Sequence, residues 1–102
     1  MASYKCNRPI HPGELLKEEI ECRNLSQTKL ASQTGISYKM LNDILNCRRP
    51  VTEPTAMLIE AALGISAGLL LRMQTDYNMQ ITASDPSFKK RLEQIRRYAA
   101  VL

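Results

Sequence analysis

The chain has no tryptophan, one phenylalanine and four tyrosines. Its core must therefore come from aliphatic residues, alanine and methionine, which suits helix packed on helix and predicts an all-α domain. A single histidine, His11, leaves no second member for a histidine-based catalytic or metal-binding constellation; standing before Pro12, it reads as the residue that begins a helix. Three cysteines, Cys6, Cys22 and Cys47, fall at no metal-ligand spacing, and no apolar leader precedes them. They read as reduced thiols in a cytoplasmic protein, without an evident basic partner to make a nucleophile of Cys22 or Cys47. The longest strongly apolar stretch, 59–71, contains Glu60 and is well short of the roughly 20 residues that cross a bilayer. No glycine-rich phosphate loop occurs. No enzyme activity, metal, cofactor or membrane association is expected.

What remains is a chain of 102 residues, enough for one small core, with a formal charge of +4. The charge is unevenly placed. Arg48-Arg49, Lys89-Lys90-Arg91 and Arg96-Arg97 hold half of the 14 basic residues, whereas the segment 14–21 is acidic. Glu18, Glu19 and Glu21 fit the solvent-facing side of an amphipathic helix. The basic segment 89–97 likewise reads first as a solvated helix face.

Residues 1–11 show no clear period and read as an arm ordered by a partner. Pro12 suits a first helical position, and Leu15, Leu16 and Ile20 give a stripe for a helix from Pro12 to Arg23, closed by Asn24-Leu25. Ser26 caps a short second helix to Gln33, and Gly35 permits a tight turn with Ile36 pointing inward. Ser37 begins a third helix reaching Asn46, with Leu41, Ile44 and Leu45 buried. After a basic connection, Thr52 is expected to cap a fourth helix facing the core through Leu58, Ile59, Ala62 and Leu63. Ser66 caps a fifth, from Ala67 to Asn78, with Leu69, Leu70 and Met73 on its apolar side. Asp85-Pro86 signals a turn before a last helix, Phe88 to Val101, with Leu92, Ile95 and Ala99 on one stripe.

The stretch from Ser26 to Leu45 has the spacing of a helix-turn-helix: Ala31 where two helices cross closely, Gly35 at the turn, Ile36 in the corner, and Leu41 and Ile44 anchoring the second helix. In such a motif the N-terminal residues of the second helix reach base edges in the major groove, so Ser37, Tyr38, Lys39 and Asn42 are the candidate base readers. Lys39 suits guanine O6 or N7, and Asn42 suits adenine N6 and N7. Tyr38 fits either a thymine methyl or a phosphate. Gln27, Asn46, Arg48 and Arg49 are the candidate phosphate contacts, which fix register without reading sequence.

This stretch resembles the Cro and phage-repressor class of helix-turn-helix proteins, the XRE family. With His11-Pro12-Gly13-Glu14-Leu15-Leu16, Ala61-Ala62-Leu63-Gly64-Ile65-Ser66 and Gln74-Thr75-Asp76-Tyr77-Asn78 added, it is similar to HigA-type antitoxins over about residues 9–79. The resemblance implies a five-helix lambda-repressor-like domain at 12–79, with 80–102 as a C-terminal helical extension. It implies a homodimer on palindromic double-stranded operator DNA that represses its own operon and neutralises a messenger-RNA-cleaving toxin of the HigB/RelE-like kind. The residues leave two alternatives open, a repressor without a toxin partner and a protein-interaction scaffold. Cys47 stands where the family commonly has glycine after the recognition helix, and Ala67-Gly68-Leu69-Leu70-Leu71 replaces its usual proline and aromatic residues.

Overall fold

The computed structural model describes residues 8–101. The expectation of an all-α fold holds: α1 (Pro12–Cys22), α2 (Gln27–Thr34), α3 (Tyr38–Leu45), α4 (Glu53–Leu63), α5 (Ala67–Ser84) and α6 (Pro86–Val101) follow in chain order, and the described residues contain no strand. The first seven residues of the expected arm lie outside the described residues.

Helix starts follow the punctuation of the sequence. Ser26, Ser37 and Ser66 each accept the backbone N–H three residues on, at 3.1 Å. These bonds satisfy amide donors that have no partner inside the helix. His11 does the same for α1, its Nδ1 accepting the Gly13 N–H at 2.9 Å. Gly35, at φ +80°, closes α2 in the left-handed conformation that lets α3 begin almost at once.

α1 packs on α3 and α5, α2 on α3 and α4, and α4 on α5. Leu16, Leu30, Leu41, Ile44, Leu45, Ile59 and Leu70 are completely enclosed, so each helix from α1 to α5 contributes to one core. Gly13 permits the closest approach: a Cβ there would run into the Ile44 carbonyl oxygen of α3. The backbone of α1 thus rests directly on that of α3.

Four sequence expectations need correction. α5 continues past Asn78 to Ser84, because residues 79–84 contain no helix breaker. Only Pro86 forces the preceding Asp85 into an extended conformation, at ψ 120°. Leu58 is 43% exposed, since α4 turns Thr55, Ala56, Ile59 and Leu63 inward and leaves Leu58 beside that face. Leu69 is also exposed, with Ala67, Leu70 and Gln74 forming the buried side of α5. Thr52 makes no side-chain cap; its hydroxyl pairs with that of Thr55 at 3.3 Å. The fixed φ of Pro54 and the negative charge of Glu53 favour the start of α4 instead.

α6 buries no residue, and only Leu92 is partly covered. Among the described residues no helix is long and apolar enough to cross a membrane.

Candidate nucleic-acid interface

α3 divides cleanly. Leu41, Ile44 and Leu45 are buried, while Tyr38 is 52% exposed and the Lys39 side chain 82% exposed in the first turn. The Ser37 hydroxyl oxygen caps the helix. Asn42 lies one turn on, half-buried at the seam with α2.

The structure joins one expected base reader, Asn42, to the expected phosphate contacts Gln27, Asn46 and Arg48 in one hydrogen-bonded network, while the Ser37 and Tyr38 side chains stand outside it. The Asn42 side-chain amide donates to Gln27 Oε1 at 2.9 Å, joining the start of α2 to the middle of α3. Asn42 Oδ1 accepts from Arg48 Nη2 at 3.2 Å and from Asn46 Nδ2 at 3.3 Å. Asn46 Nδ2 also donates to the Asn42 carbonyl at 2.9 Å, and Asn46 Oδ1 accepts from Lys17 at 3.4 Å. Both lone pairs of the Asn42 side-chain oxygen are thereby engaged. Bidentate pairing with adenine therefore requires at least one of these donors to turn away.

Asp43 is the residue that sequence reasoning missed. Its carboxylate receives Lys39 Nζ at 3.1 Å and Arg48 Nη2 at 3.1 Å, with Arg49 Nη2 at 4.0 Å. Hydrogen bonds from Lys39 and then Arg48 hold its pKa below the usual carboxylate value. The spacing of four between Lys39 and Asp43 was a visible signal for one of these pairs. The arginines arrive from the loop beyond α3, which no spacing rule anticipates.

That loop is fastened from behind. The buried His11 ring lies beside the Arg49 backbone and meets Tyr77 edge-on, with ring centroids 4.9 Å apart. Gln74, buried on α5, accepts the Val51 N–H at 2.9 Å and donates to Asn78 at 3.0 Å. Burial holds the His11 pKa below its ordinary value of 6.5, outweighing the nearby Arg49 backbone and the Glu14 charge that favour the proton. His11 begins α1 as expected, and it also positions the loop carrying two candidate phosphate contacts. Among the described residues no group of three His, Cys, Asp or Glu side chains gathers as a metal site.

Two helices joined by a glycine turn, the second anchored by one face and exposed along the other, define a helix-turn-helix protein. The chain belongs to the helix-turn-helix family, whose model matches residues 16–70. It is 35% identical over 77 residues to virulence-associated protein I of Dichelobacter nodosus, covering 74% of this chain and 71% of that protein. Among solved structures it is similar to an addiction module antidote protein of the HigA family from Coxiella burnetii, with TM-score 0.76 and 30% identity over 86% of this chain and 95% of that one. It is also similar to the Pseudomonas aeruginosa antitoxin HigA solved with the higBA promoter, with TM-score 0.77 and 27% identity over 85% and 94% of the respective chains. The kinship with HigA-type antitoxins expected from the sequence is thus shown.

Proposed function

We propose that the protein is a sequence-specific DNA-binding antitoxin that represses its own operon and neutralises a messenger-RNA-cleaving toxin of the HigB/RelE-like kind. The observation carrying the DNA-binding half is the first turn of α3, where Tyr38 and Lys39 stand free of the core beside a preformed row of Gln27, Asn42, Asn46, Arg48 and Arg49. In this reading Ser37, Tyr38, Lys39 and Asn42 face base edges, and Gln27, Asn46, Arg48 and Arg49 face phosphates. The Pseudomonas relative solved with a promoter supports promoter DNA as the ligand. The toxin half follows from kinship with the HigA family.

The protein works in the cytoplasm, on the nucleoid, as a homodimer on a palindrome. Its half-sites lie about 34 Å apart, one turn of B-DNA. Exposed Met79, Ile81 and Ile95 on α5 and α6 supply apolar surface for self-association.

Gel retardation of the DNA upstream of the protein's own gene tests the reading. Specific retardation is expected for the wild type and its loss for a Tyr38→Ala, Lys39→Ala double variant. Equal retardation of operator and unrelated DNA, or unchanged specificity in that variant, overturns it. Copurification with the product of the adjoining gene tests the toxin half, and a protein that binds its operator without any such partner is a plain repressor.

A further inference from the structure

α6 carries the net charge of the whole molecule. It holds Lys89, Lys90, Arg91, Arg96 and Arg97 against one acid, Glu93; removing these from the chain's 14 basic and 10 acidic residues leaves nine of each. The rest of the chain is formally neutral in sum. At the proposed DNA-reading face the cations are already engaged, since Lys39, Arg48 and Arg49 all converge on Asp43. The five basic side chains of α6 make no ion pair or side-chain hydrogen bond with any described residue, and all five are exposed.

The basic residues are also ordered in space. At about 100° per residue, Phe88, Leu92, Ile95 and Ala99 form one stripe, and Lys90 and Arg97 point the opposite way, roughly 10 Å apart along the axis. The start of the stripe is turned to α5, where Phe88 and Leu92 line an open groove of about 400 Å³ with Asn78, Met79 and Thr82, whereas Ile95 and Ala99 are exposed. Asn78 also lines the depression formed by His11, Arg48 and Arg49. Asn78 of α5 therefore borders both the groove at the start of the basic helix and the depression beside the loop expected to hold phosphates.

We infer that α6 is a second, sequence-independent DNA-binding element, in which Lys90 and Arg97, with Lys89, Arg91 and Arg96 beside them, bind backbone phosphates outside the bases read by α3. The inference rests on the DNA-binding reading above and adds to it a division of labour. α3 selects a sequence, and α6 supplies the long-range attraction that a neutral body lacks. Phosphate contacts carry no sequence information, so this contribution is the same on operator and on unrelated duplex.

The test compares wild type with a Lys90→Gln, Arg97→Gln variant, in which glutamine keeps helix propensity and the changes fall away from the apolar stripe. Affinity for operator and for unrelated duplex is measured across a salt series, with helix content and self-association followed alongside. The variant is expected to weaken on both duplexes by the same factor, and its log affinity against log salt to be shallower by about 0.9 per lost contact, about 1.8 per protomer. Unchanged slope and affinity overturn the inference. So does a loss confined to self-association or helix content, which assigns α6 to the dimer. A wild type that favours no operator, yet loses duplex affinity through these substitutions, overturns the sequence-specific reading and leaves α6 as a phosphate-binding helix. A wild type that binds no duplex overturns both.

Discussion

Arg48 lays its Nη2 between two side chains of α3, 3.2 Å from Asn42 Oδ1 and 3.1 Å from Asp43 Oδ1. The residue suited to a phosphate thus covers the acceptor of the residue suited to adenine; in the proposed reading, contact with one strand's backbone would uncover that acceptor for a base. Replacing Arg48 with alanine separates the two roles. The slope of log affinity against log salt should become shallower by about one unit, while preference at the base pair read by Asn42 persists. A salt titration with operator variants at each position measures both. A loss of preference at one position with no change in slope would place Arg48 on a base.

Cys47 adopts a φ of +63° immediately after α3, where its N–H bonds the Ile44 carbonyl at 3.0 Å. A side chain in this left-handed region costs on the order of 1 kcal/mol, and glycine avoids that cost while adding some entropy to the unfolded chain. Cys47→Gly should therefore raise the unfolding free energy by about 0.5 to 1 kcal/mol, read from urea denaturation, without altering operator specificity.

The pH dependence of folding should carry the mark of His11. Because its folded pKa lies below 6.5, the unfolded chain binds the extra proton first. Stability from this group is complete above pH 6.5 and declines as pH falls through that value toward the lower folded pKa. The shifted carboxyls, Glu14 and Asp43, titrate below ordinary values of 4.5 and 3.8, so the window from about pH 5 to 7 is left to the chain's one histidine. In His11→Asn, an amide still able to cap α1, the denaturation midpoint should be lower at pH 8 but flat across that window. An equally steep decline in the variant would assign it to another group.

The local grammar of the fold was legible in the sequence. Ser26, Gly35 and Ser37 fix the ends of α2 and the start of α3 through bonds to residues at most four positions away, and such short-range chemistry is written in adjacent letters. What escaped depends on distant partners. Gln74 looks like a surface residue until Val51, 23 positions earlier, places an N–H against it. Leu58 looks like core until the neighbours of α4 determine which stripe turns inward. At the interface, exposure of Tyr38 and Lys39 followed from periodicity, whereas the convergence of Arg48 and Arg49 on Asp43 depended on the path of a loop.

The direct contact between Gly13 and the carbonyl of Ile44 bears on how such a protein changes its target. The pose of α3 is set by backbone against backbone and by leucines and isoleucines on the hidden side, none of which meets DNA in this reading. Tyr38 and Lys39 are consequently exchangeable letters on a fixed plate: new residues there would redirect the protein to another operator without moving the helix that presents them.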